Sequence, residues 1–232
     1  MKKIFSVLLI TCMCVMLVAG CGKEESAPQK AESEENPTPI AEGVKEEQPS
    51  DVEEVRKKVD VKAVPTEDGL TCVFITNNSE TVIDELGVQV NYKDDTGATV
   101  DMDNDGHDMV LPGSTVVSRM DAPDTYADCE VETSIQLDIY PKYENHAKDV
   151  VVNSNQGDEC VIVEITNNSD VSIDEIEYTA VLYKDEQIVT VEYPQDIRDV
   201  AADQTVTEKV DTYSKEYDRF EIYLNQAHTF GL

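Results

Sequence analysis

Cys72-Val73-Phe74-Ile75-Thr76-Asn77-Asn78-Ser79 is answered, at an offset of about 90 residues, by Ile162-Val163-Glu164-Ile165-Thr166-Asn167-Asn168-Ser169. In both stretches the apolar side chains alternate, Val73 with Ile75 and Val163 with Ile165. A period of two places them on one face of a half-buried strand. The match continues outward. Ile83-Asp84-Glu85-Leu86 answers Ile173-Asp174-Glu175-Ile176, and Tyr92-Lys93-Asp94 answers Tyr183-Lys184-Asp185 after a slip of one residue. Such a slip inside a strand is what a β-bulge produces. Alternation also marks Val88, Val90 and Tyr92 in the first copy and Tyr178, Ala180 and Leu182 in the second.

The segments between these runs carry turn chemistry. Asn77-Asn78-Ser79 and its twin join two strands, because asparagine tolerates the left-handed region and its side chain bonds nearby backbone. Asp94-Asp95-Thr96-Gly97 reads as a hairpin turn and Leu111-Pro112-Gly113-Ser114 as a tight turn, with glycine supplying a positive φ. Val200-Ala201-Ala202-Asp203 fills the second slot in the later copy without proline or glycine, so a different turn is expected there. Six or seven short strands in ~85 residues match an immunoglobulin-like sandwich. The expected fold is all-β: two tandem immunoglobulin-like β-sandwich domains, residues 58–145 and 146–232, after a disordered tether.

A strand ending in Asn-Asn-Ser, a strand running into an acidic turn at Ala180-Val181-Leu182-Tyr183-Lys184-Asp185, and the turn Leu111-Pro112-Gly113-Ser114 together resemble the FxLYD domains of bacterial lipoproteins. Ala180 stands where that motif has phenylalanine, and Tyr92 where it has leucine. The resemblance covers both copies and implies a β-sandwich without assigned chemistry, carried on a lipid anchor or beside other surface modules. It transfers no catalytic residue.

The N-terminus supplies an address. Lys2 and Lys3 precede the apolar stretch Ile4 to Val18, and Leu17-Val18-Ala19-Gly20-Cys21 resembles a lipobox. Residues 1–20 then read as a lipoprotein signal peptide, with Cys21 as the lipidation site. The ~15 apolar residues fall short of the ~20 that span a bilayer. Residues 21–57 form an acidic run of Glu, Lys, Ser, Pro and Gln that cannot bury enough surface to order itself. Within it, Ser50-Asp51-Val52-Glu53 has a capping-box pattern, with Val52, Val55 and Val59 at helical spacing. The expected location is the cell membrane, lipid-anchored through Cys21 and facing outward.

Asp and Glu number 49 against 18 Lys and Arg, for a net charge of −31. A surface this negative repels phosphate backbones, which excludes nucleic acid as a partner and disfavours anionic headgroups. Anchoring therefore falls to the lipid on Cys21, while a surface or membrane protein remains open as partner. Cys12 and Cys14 leave with the signal, so Cys72, Cys129 and Cys160 are the remaining thiols. Cys72 and Cys129, near the beginning and end of the first copy, can bridge only if their Cα atoms lie within ~7 Å. The second copy has no matching pair.

Catalytic motifs are lacking. His107, His146 and His228 fall in expected loops or near the terminus, and neither G-x-S-x-G, HExxH nor a phosphate-cradling glycine loop occurs. Asp101-Met102-Asp103-Asn104-Asp105-Gly106-His107-Asp108 has aspartates at positions 1, 3 and 5 and glycine at 6, like the first half of a Ca²⁺ loop. Position 12 is Pro112 rather than a bidentate glutamate. Asp101, Asp103, Asp105 and Asp108 are the candidate calcium ligands, against a plain acidic loop. Tyr193, Tyr213 and Tyr217 are candidates for a contact surface, since tyrosine presents rigid area with a polar tip. The expected function is a non-enzymatic surface lipoprotein presenting two interaction or spacer domains. The alternatives are a small-ligand or calcium-responsive binding lipoprotein, or an auxiliary subunit of a membrane complex.

Overall fold

The computed structural model describes residues 49–139, 143–213 and 215–231. Cys21, the signal segment and the tether as far as residue 48 lie outside the described residues. The chain is an all-β sandwich protein. A helix, α1 (Pro49–Arg56), leads into β1 (Val59–Pro65), β2 (Leu70–Asn77), β3 (Ile83–Lys93), β4 (Thr99–Val110), β5 (Thr115–Asp121) and β6 (Asp128–Gln136). Then follow β7 (Glu144–Asn145), β8 (Val150–Gln156), β9 (Cys160–Asn167), β10 (Ile173–Lys184), β11 (Gln187–Val191), β12 (Gln195–Val200), β13 (Thr205–Asp211) and β14 (Arg219–Thr229).

The first sandwich packs the antiparallel sheet β1-β2-β5 on the sheet β4-β3-β6. Its core is Val73 and Ile75 from one sheet against Leu86, Val88, Val90 and Tyr92 from the other. Helix α1 closes one end, setting Val55 into this core with Val52 beside it. Residues 49–57 therefore belong to the first sandwich and not to the tether. The second sandwich repeats the plan with β13-β9-β8 on β11-β10-β14-β7 and a core of Val163, Ile165, Ile176, Tyr178 and Leu182. Strands β11 and β12 both pair with β10 on one edge and together take the place of β4. Pro194, which has no N–H to donate, lies in the break between them. Glu144 and Asn145, assigned by sequence to the first domain, pair with Thr229 and His228 and so belong to the second.

The Asn-Asn-Ser turns are built alike. Asn77 Nδ2 donates to the carbonyls of Thr81 at 2.9 Å and Val110 at 3.0 Å, while its Oδ1 accepts from Ser79 N and Oγ. Asn167 repeats this with Val171, Val200 and Ser169. Both amides are fully buried and saturated. The left-handed backbone expected of them is not used, since neither has a positive φ. Gly113 adopts φ 76° in the Leu-Pro-Gly-Ser turn, and Asp203 takes φ 57° at the equivalent place. The later turn is thus the same turn, with an aspartate tolerating the left-handed region in place of glycine.

Candidate functional site

Alternation sends every second side chain of a strand to the far face of its sheet. On β2, Cys72 and Phe74 point away from the first core, and on β10, Val181 and Tyr183 point away from the second. Those outward side chains meet. Cys72, Val117, Val181, Tyr183, Ile188 and Val191 form a third buried apolar cluster, with Phe74 edge-on to Tyr223 at 5.5 Å between ring centroids. The sheet β1-β2-β5 therefore has a core on each side, and the two sandwiches stack as four layers. The one-residue slip between the copies is decisive here. Tyr92 lies in its own core, whereas Tyr183, its sequence match, faces the other sandwich and Leu182 takes the core position. The β10–β11 register does shift between Leu182 and Tyr183, as expected of a bulge, but the extra residue is Val189 on β11, so β10 keeps the slip and a shift of one residue turns its side chain to the opposite face.

Polar groups close the rim of this interface. The β10–β14 register skips Asn225, a bulge that aims its side chain at β5. Val117 N donates to Asn225 Oδ1 at 3.0 Å, and Asn225 Nδ2 donates to Glu177 Oε1 at 2.9 Å and Thr179 Oγ1 at 3.0 Å. Gln226 Nε2 donates to Glu175 while its Oε1 accepts from Asp108 N, and Asn145 Nδ2 donates to Met109 O at 2.6 Å. The outer edge of β5 at Val117 and the Asp108–Met109 end of β4 are thereby covered by the second sandwich. At the other side Glu67 N donates to Ile188 O at 3.0 Å, Asp68 N to Val189 O at 3.3 Å, and Lys215 pairs with Asp68. Arg119 lies over the Tyr193 ring at 3.9 Å. Burial, then neighbouring carboxylates, raises Asp108; burial likewise raises Glu177, against the bond from Asn225.

Where the interface opens between the β1–β2 and β10–β11 hairpins it leaves a cleft of about 450 Å³. Val64, Phe74, Tyr183 and Ile188 supply apolar wall, and Lys62, Glu67 and Glu186 supply charge. Tyr183 is fixed from behind: its hydroxyl donates to Glu221 at 3.1 Å and Arg219 covers its ring at 3.7 Å. These groups can hold a flat apolar or aromatic moiety with a polar substituent.

The acidic stretch chosen from sequence is not a loop. Asp101, Asp103, Asp105 and Asp108 lie on β4, paired throughout with β3. Carboxylates two residues apart on a strand are ~6.7 Å apart and point in parallel, so they cannot converge as loop ligands do. Asp101, Asp103 and Asp105 stand opposite Tyr92, Val90 and Val88, on the inward face of an edge strand, while Asp108 falls on the outer face. Asp103 there accepts a hydrogen bond from Asp121 N at 2.7 Å, tying β4 to β5. Inward charges of this kind keep an edge from pairing with another chain. Among the described residues no group of three or more His, Cys, Asp or Glu is arranged to hold a metal.

Of the three tyrosines, Tyr217 is half-buried against the second core and donates to Cys160 O at 3.2 Å, a packing role. Tyr193 and Tyr213 are exposed, at 62% and 75%, on different connections of the second sandwich. Cys72 and Cys129 are free: Cys72 faces the second sandwich and Cys129 lines the first core from the opposite sheet. His107, expected in a loop, is buried on β4, with its Nε2 2.7 Å from Ser118 Oγ and 3.8 Å from Asp105 Oδ2. A nucleophile relay needs its acid and its serine on opposite ring nitrogens. Here both approach Nε2, Nδ1 has no hydrogen-bond partner, and Ser118 is fully buried. The inter-sandwich face was the feature missed, although Ala180-Val181-Leu182-Tyr183 is an unbroken apolar run, the signature of a strand buried on both sides.

No family model matches the chain, and no curated protein matches it.

Proposed function

We propose that this protein is a non-enzymatic surface lipoprotein, anchored through Cys21, whose two immunoglobulin-like, FxLYD-like sandwiches act as one rigid interaction module. The observation that carries the reading is the apolar layer of Cys72, Val117, Val181 and Tyr183 between the sandwiches. Fully burying a side chain of this size stabilises by ~1.5–3 kcal/mol, enough in sum to hold two modules as one body. The outward positions equivalent to Phe74 and Val117 in the second copy are Glu164 and Thr207, so its far face is polar and the stack ends there. A terminal polar face is how stacked modules stay soluble. The address rests on Leu17-Val18-Ala19-Gly20-Cys21 and on the basic and apolar segments before it.

A second reading, binding of a small ligand, is favoured by the cleft beside Phe74 and Tyr183, whose volume falls within the range of ligand pockets. Cross-linking on intact cells followed by mass spectrometry tests the first reading, with Cys21→Ala as the unanchored control. A defined set of membrane or surface neighbours, lost in the control, is expected. Identical neighbours with and without Cys21 would contradict anchoring.

A further inference from the structure

The two sandwiches differ at one edge. In an immunoglobulin-like sandwich the sheet holding the third, sixth and seventh strands places the seventh beside the sixth. In the second sandwich the sixth-strand equivalent, β14, is flanked at one end by β7. In the first, the sheet order β4-β3-β6 leaves β6 with no strand paired on its outer side among the described residues. Its opposite edge β4 meets the second sandwich at Asp108 and Met109 and carries the inward-facing Asp101, Asp103 and Asp105 along the rest of its length, so β6 is the edge of this sheet left without such protection. Beside it lies a groove of about 510 Å³ between the edges of β6 and β1, whose walls include Val61, Ala63, Tyr126, Cys129 and Val131.

We propose that the β6 edge is a docking site for an extended segment of a partner protein, which adds a strand in the vacant position. Such augmentation draws affinity from main-chain hydrogen bonds and specificity from alternate side chains. The alternation of β6 defines those side chains. Cys129 and Val131 face inward toward the groove, and Asp128, Glu130 and Glu132 are exposed on the outer face. An incoming strand must then carry small or medium apolar residues on one face and basic residues on the other, beside Glu130 and Glu132. The same acidic row rejects a second copy of this chain, because like charges directly opposite on paired strands repel. A basic, β-prone segment is the occupant that fits a chain of net charge −31. This deepens the interaction reading by naming the partner's chemistry and does not depend on the lipid anchor.

The test uses the full chain in nonionic detergent and a blocked heptapeptide of alternating lysine and valine, read by amide hydrogen exchange. Saturable binding is expected, with exchange slowed at least tenfold at amides confined to Asp128–Gln136. A peptide N-methylated along its pairing edge should not bind. The exposed double variant Glu130→Lys with Glu132→Lys, its fold checked by melting, should lose at least tenfold in affinity for the lysine peptide and favour a glutamate–valine peptide. Three results would overturn the proposal: binding that survives N-methylation, a β6 edge already protected in the free chain, or protection that grows with protein concentration alone. The anchoring reading stands or falls separately, on the cell cross-linking.

Discussion

The side-chain amide of Asn225 takes the place of a neighbouring strand for Val117: the Val117 N–H donates to Asn225 Oδ1 at 3.0 Å, and Nδ2 lies 3.4 Å from the Val117 carbonyl. One residue of the second sandwich thus satisfies the edge of the first. It can do so because the bulge in β14 removes Asn225 from its own ladder. Replacing it, as Asn225→Ala, leaves the buried Val117 groups without their partner. An unsatisfied buried polar group costs ~1–3 kcal/mol. The urea midpoint should fall correspondingly, and Asn225→Asp should fall further at neutral pH because it sets a carboxylate beside Glu177.

Cys72 reports on the same interface. Its thiol is fully buried in the apolar layer, and burial pushes its pKa up to about 12. Labelling by a maleimide at pH 8 should be slow in the native protein, with the half-exposed Cys129 reacting first when peptides are assigned by mass spectrometry. Val181→Asp places a charge in the layer without entering either core. It should speed Cys72 labelling at least tenfold while the far-ultraviolet spectrum keeps its β character.

Asn77 and Asn167 perform one task twice, so Asn77→Ala and Asn167→Ala should each destabilise, by roughly 2 kcal/mol or more for the buried partners stranded. Similar losses in denaturant melts would reflect the matching geometry of the two turns. An Asn→Ser change at either position should recover little, since serine cannot span both carbonyls.

Acid sensitivity follows from two histidines. Burial lowers the pKa of His107 and, against the pull of Glu175 and Asp174, that of His228. Unfolded histidine binds its proton near pH ~6.5. Their contribution is therefore complete above that value and is lost as pH falls below it, by up to ~1.4 kcal/mol per unit for each. Asp108, Glu177 and Glu192 have raised values, so their protonation in the folded state works in the opposite sense at lower pH. Urea midpoints between pH 7.5 and 5.5 should decline, and His228→Asn should flatten the decline.

Much of the fold could be read from strand periodicity and turn residues: β2 and β9, β3 and β10, and the turn at Gly113 all lie where alternation and glycine put them. What escaped was tertiary. Phe74 and Glu164 occupy equivalent outward positions, and their difference marks which sheet is covered and which faces solvent. Asp101 to Asp108 resembled a loop because its charges hid an edge strand whose aspartates point inward at the open rim of the sandwich. The candidate contact surface was legible only as an excess of tyrosine, and packing claims Tyr217 while leaving Tyr193 and Tyr213 exposed.

Amide hydrogen exchange at Val117 tests most directly whether the two sandwiches form one body. That N–H lies on the outer edge of β5 and is held by Asn225. A closed interface predicts exchange as slow as at the central strand β3, accelerated strongly by Asn225→Ala. Fast exchange at Val117 in the unaltered protein, with β3 still protected, would show sandwiches that swing apart and would contradict the account.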